Sequence, residues 1–148
     1  MAYASWWIGQ RLTSRVQPRY DGMPLPLRRY AMYASEFLAS QAFDISAAMR
    51  TYQLKLADRQ CAMNELSQRI QDAVVMLVTC LHATGESDSL TRDAAEVVCG
   101  QLWRKLSGGR INHRDWRKLT ELGGAIAQSG WSELEGVDSD TIMMKYIQ

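Results

Sequence analysis

The stretch LADRQCAMNELSQRIQDAVVMLVTCLHATG, from Leu56 to Gly85, constrains this chain most. Within it Leu66, Ile70, Val74, Leu77, Val78 and Leu81 recur three and four residues apart, the spacing of one apolar stripe on an α-helix. Ala62, Met63, Ala73, Val75 and Met76 widen the stripe until the second half is apolar almost all round. A helix of that kind belongs in the middle of a bundle, with neighbours on several sides. Asp58 marks its start and Gly85 its end, where a residue without Cβ closes a helix most easily. The spine carries no catalytic pattern.

The flanking sequence supplies the neighbours. Pro18, Asp21, Gly22, Pro24 and Pro26 make a turn-rich linker over 18–26, and Pro26 suits the first turn of a helix. From there Tyr30, Ala34, Phe37, Leu38, Ile45, Met49, Tyr52 and Leu56 keep helical spacing. The helix is expected to end or kink near Ala57 to Gln60, although no Pro or Gly forbids an unbroken run to Thr84. Beyond the polar loop at 86–89, Ser89 or Thr91 caps the next helix, with Asp93 and Glu96 near its start. Ala94, Ala95, Val98, Cys99, Leu102 and Leu106 are its apolar side, and Ser107-Gly108-Gly109 ends it.

Asn112-x-x-Asp115 reads as a cap and its acidic partner. Trp116, Leu119, Gly123 and Ile126 form the apolar side of the helix that follows. Gly123-Gly124 would cost it about 1 kcal/mol each unless another backbone packs close there. Short helical turns are expected around Val137 and from Ile142 to Tyr146. No alternating stretch is long enough for a sheet. The pattern predicts an all-α, antiparallel bundle of four main helices, with an amphipathic N-terminal helix and short C-terminal helices. Its divisions are an N-terminal helix over 1–17, the linker over 18–26 and the bundle over 27–148.

Some of these residues carry a resemblance. Asp58-Arg59-Gln60, the helix after it and its Cys80-Leu81-His82-Ala83-Thr84 end are similar to the extra C-terminal helical domain of very-long-chain acyl-CoA dehydrogenases. Pro24-Leu25-Pro26-Leu27 resembles the segment leading into that domain, and Ala94-Ala95-Glu96-Val97-Val98-Cys99 its following helix. The likeness covers roughly residues 20 to 130 and rests on helix order and apolar spacing. It implies a domain lying beyond a flavin-dependent catalytic core. That core would supply the FAD site, the acyl-CoA pocket and the catalytic glutamate, and none of those maps onto a residue here.

A chain of 148 residues with 47% hydrophobic and 22% charged residues can bury a core and is not of disordered composition. Its net charge of +1 gives no overall polyelectrolyte signal for nucleic acid. No apolar run reaches the roughly 18 to 20 residues that span a bilayer, and no secretory-signal pattern opens the chain. Cys61, Cys80 and Cys99 are odd in number and lack close pairs, so they read as buried structural thiols rather than a disulfide framework or a metal site. A cytoplasmic or mitochondrial-matrix location follows from that reading.

Two stretches are candidates for binding. In 1–17, Trp6, Trp7, Ile8, Arg11, Leu12 and Arg15 form an amphipathic helix with a basic face, weakened at Gly9 by about 1 kcal/mol relative to Ala. Indole rings beside arginines suit an anionic membrane surface, and equally suit packing onto the bundle or a partner domain. In the resembling enzymes the corresponding position is implicated in inner-membrane attachment. The second candidate is Arg104, Lys105, Arg110, Arg114, Arg117 and Lys118, clustered around Gly108-Gly109 with Asp115 the one acid among them. Such a patch, with Trp103 and Trp116 for stacking, can bind nucleic acid, an acidic protein or lipid, or simply solvate a helix end.

His82 and His113 have no nucleophile or carboxylate at catalytic spacing, and Cys80 and His82 would point to different sides of one helix. The expectation is therefore a non-catalytic structural and interaction domain with no cofactor of its own. Its expected contacts are a dehydrogenase core, a second copy in a homodimer and a membrane surface. The alternatives are a stand-alone adaptor using the Arg104–Lys118 patch, or an enzyme whose site lies between helices. Phosphate binding would weaken steeply with salt, whereas apolar docking would not.

Overall fold

The computed structural model describes Ser5, Ile8, Gly9, residues 18–52 and residues 60–134. Among these residues are four long helices: α1 Leu25–Tyr52, α2 Gln60–Gly85, α3 Ser89–Ser107 and α4 His113–Ser129. A 3-10 turn at Ser132–Leu134 follows. No strand occurs among the described residues, and the fold is the all-α bundle that the spacing predicts. Of the junction expected near Ala57 to Gln60, only Gln60 is described, as the first residue of α2; the turns expected near Val137 and Ile142 to Tyr146 lie outside the described residues.

Local chemistry sets the helix ends. The linker before α1 is a packed turn in which Gly22 has φ 86° and the Met23 N–H donates to the Tyr20 carbonyl at 3.3 Å. Met23 is buried, and the Tyr20 hydroxyl meets Ser35 Oγ at 2.5 Å, anchoring the turn to α1. The cap of α3 differs from the Ser89 or Thr91 expected: it is Asp88, in extended conformation. Its carboxylate accepts from Leu90 N–H, Thr91 N–H and the Thr91 hydroxyl, which no single serine or threonine oxygen would satisfy as well. Those bonds, the Thr91 hydroxyl foremost, hold the Asp88 carboxyl below its ordinary range. Gly108, at φ 73°, closes α3, and the Asn112/Asp115 capping box opens α4, both as the sequence predicts.

The core is built from small side chains. Leu27, Ala31 and Ala34 of α1 meet Ala73, Met76, Cys80 and Ala83 of α2 and Ala95, Cys99 and Leu106 of α3. Alanine and cysteine on facing helices let their backbones approach closely, and Met76 is the largest of the fully buried side chains. Tyr33, Phe37, Leu38, Leu77 and Leu102 pack around that centre, with the Arg69 guanidinium 5.2 Å over the Phe37 ring.

The buried stripe of α2 is therefore not the one that apolar size suggests. Ala73, Met76, Cys80 and Ala83 are covered, while Val74, Val75, Val78 and Leu81 are 44%, 50%, 57% and 51% exposed. Among the described residues α2 is packed by α1 and α3, and α4 packs chiefly on α3. The expectation of a spine surrounded on several sides is corrected accordingly. A helix apolar all round does not name its inner face, and the closest packing chooses the small residues. Val98 of α3 and Met49 of α1, expected inside, are likewise exposed. No residue of α4 is fully buried, and among the described residues no backbone comes within 4 Å of where a Cβ on Gly123 or Gly124 would stand.

Candidate functional site

The outer face of α2 is unusual in its chemistry. From Gln71 to Gly85 the only Asp, Glu, Lys, Arg or His residues are Asp72, which is buried, and His82. His82 sits at the end of the face, 3.7 Å from Glu86. Between them Val74, Val75, Val78 and Leu81 stand in solvent with no charged side chain interspersed. A solvated helix face ordinarily carries charge, and a contiguous exposed apolar patch marks a contact surface.

The basic cluster changes character on folding. Arg104 Nη1 is 3.0 Å from Asp115 Oδ2, Lys105 Nζ is 2.7 Å from Asp72 Oδ2, and Arg117 Nε is 3.8 Å from Glu121 Oε1. Lys118 pairs with Glu96 across α3 and α4. Only Arg110 and Arg114 of the six lack an ion-pair partner among the described residues. In sequence Asp115 is the one acid in the cluster, but folding brings Asp72 from α2 and Glu96 from earlier in α3. Paired cations release fewer counterions to a polyanion, so the folded patch is a weaker phosphate-backbone surface than its sequence suggests.

Of the N-terminal candidates, Trp6, Trp7, Arg11, Leu12 and Arg15 lie outside the described residues. Ile8 is helical and 49% exposed.

Folding also brings Cys80 and Cys99 together. Both are fully buried, with Sγ atoms 3.5 Å apart, and the Cys99 thiol reaches the Met76 carbonyl at 3.6 Å. Its contact with Cys80, and then burial, raise the Cys99 thiol far above its ordinary range, which keeps it protonated and unreactive. Cys61 is exposed instead of buried as expected, because it lies in the first turn of α2, ahead of the packed region. Cys80 faces the core while His82 faces solvent, so the two do not form a nucleophile and base.

Among the described residues no three potential metal-binding side chains gather, and no helix is long and apolar enough to cross a membrane. Asp72 and Glu96 are the functional partners that sequence reasoning missed. An aspartate set among Ala73, Val74, Val75 and Met76 was the available signal for the first; nothing local distinguished the second. No protein-family model, curated protein or solved structure matches the chain, and the acyl-CoA dehydrogenase resemblance draws no support from those comparisons.

Proposed function

We propose that this chain is a non-catalytic helical docking domain that covers a partner protein through the uncharged outer face of α2. The observation that carries the reading is the row Val74, Val75, Val78 and Leu81, exposed and free of interspersed charge. Burying such a row removes apolar surface from water at roughly 25 cal/mol per Å², without stranding a charge. The resemblance names the partner: the catalytic core of a flavin-dependent fatty acyl-CoA dehydrogenase, on the same chain or a separate one. FAD would belong to that core. The N-terminal stretch with Trp6, Trp7, Arg11 and Arg15 is the candidate for meeting a second copy or an anionic membrane.

Thiol labelling tests this. In a Cys61→Ser, Val78→Cys variant the new thiol should react rapidly with a maleimide in the chain alone. Bound to a flavin-dependent core encoded with it, the same thiol should react at least about tenfold more slowly. Equal rates with and without the core, or a gene context encoding no such core, would overturn the assignment.

A further inference from the structure

We propose that the cleft between the start of α1, the middle of α3 and the start of α4 binds a small phosphate monoester with a flat or apolar body. This cleft, about 430 Å³ in volume, is separate from the α2 face and does not depend on the docking role. Arg29 of α1 and Arg114 of α4 line it from two sides, and neither has an ion-pair partner among the described residues. Its acids are already matched, Glu96 by Lys118 and Asp115 by Arg104, so the two arginines are the uncompensated charges of the cleft.

Tyr30 stands in the wall of the same cleft. The Tyr30 hydroxyl has no hydrogen-bond partner among the described residues, and it lies where a Cβ on residue 100 would come within 3.2 Å of it. Gly100 is thus what leaves room for the phenol. Glycine inside a helix is destabilising by roughly 0.5–1 kcal/mol relative to alanine, so the sequence sacrifices helix stability at the point that admits Tyr30. Burial, and then the charge of Glu96, raise the Tyr30 pKa, so the phenol stays protonated and able to donate.

Two guanidinium groups line a cleft whose two acids are already paired among the described residues, with Tyr30 in its wall. A phosphate monoester carries close to two negative charges near neutral pH and accepts several hydrogen bonds. A carboxylate would leave part of that donor set unused. The Trp103 ring, with Leu25 and Pro26, provides an apolar wall for the body of the ligand.

Phenyl phosphate is the minimal probe, titrated into the chain while the Trp103 indole N–H is followed by NMR. Binding should saturate below about 10 mM, exceed that of inorganic phosphate, and weaken about tenfold or more in Arg29→Gln and in Arg114→Gln. Both arginines are exposed and lack an ion-pair partner among the described residues, so far-UV circular dichroism should stay unchanged. Gly100→Ala is an independent variant: it favours the helix yet crowds the Tyr30 hydroxyl, so weaker binding in a protein at least as helical is expected. Phosphatidic acid vesicles separate a lipid headgroup from a soluble ester. No saturable binding, binding indifferent to both arginine changes, or binding confined to vesicles would overturn the proposal.

Discussion

The Lys105 ammonium lies 2.7 Å from the Asp72 carboxylate, tying the end of α3 to the middle of α2. The two ends of this bridge differ: the Asp72 side chain is 8% exposed and that of Lys105 55%. Gln68 Nε2 donates to the other carboxylate oxygen at 3.2 Å. Removing the cation leaves a buried carboxylate with one amide partner, a stronger penalty than loss of a surface pair. Solvent at the lysine end moderates it, so Lys105→Met should cost about 1–3 kcal/mol in urea unfolding. Adding Asp72→Leu should recover most of that loss, because the double variant buries no unpaired charge. An unchanged midpoint in Lys105→Met would place the bridge among the neutral surface pairs.

Cys80 and Cys99 make a second link between α2 and α3, and it is sealed from reagents. A thiol reagent should therefore modify one residue, Cys61, rapidly in the native chain and all three once it is unfolded. Rapid native labelling of Cys80 or Cys99, read by peptide mass mapping, would mean that the α2–α3 seam opens far more often than its packing implies.

How much of this was legible depended on whether the relevant contact was local. Asn112 and Asp115 are three residues apart and cap their own helix, so the motif could be read directly. Gly108 ended α3 for the same reason. The inner face of α2 was hidden because Val74 and Val78 are as apolar as Met76, and only the match to Ala31 and Ala34 of α1 decides which side packs. The basic cluster was misleading because charge was counted along the chain, whereas Asp72 and Glu96 neutralise it across helices. Arg29 and Arg114 share a cleft although they are far apart in sequence, and no spacing rule could have paired them.

Tyr30 provides a pH-dependent signature. Its pKa is raised above the ordinary value of 10.0, chiefly by burial and then by the charge of Glu96. In the unfolded chain the phenol ionises near the ordinary value, while in the folded chain it holds its proton to higher pH. The folded state therefore binds more protons above pH 10, and stability falls as pH rises through that window. The contribution is complete below the unfolded pKa and is lost as the folded pKa is passed. Ultraviolet titration at alkaline pH should show a late-ionising phenol that disappears in Tyr30→Phe. A curve unchanged by that substitution would mean that the Tyr30 ring is fully solvated.

Met76 and Val78 give the sharpest test of the packing, being apolar neighbours two positions apart with opposite surroundings. Met76 is 0% exposed between α1 and α3, whereas Val78 is 57% exposed. Met76→Ala removes atoms that the surrounding alanines and cysteines cannot move to replace, so it should cost about 2–5 kcal/mol. Val78→Asp puts a charge into water on a helix whose propensity it barely changes, so it should stay within about 0.5 kcal/mol in the isolated chain. Both follow from urea midpoints at equal protein concentration. The opposite ranking would return the core to the large-residue stripe through Val74 and Val78, and would remove the exposed face on which docking depends. With the predicted ranking, Val78→Asp becomes the variant that separates binding from folding: a chain equally stable that no longer holds its partner.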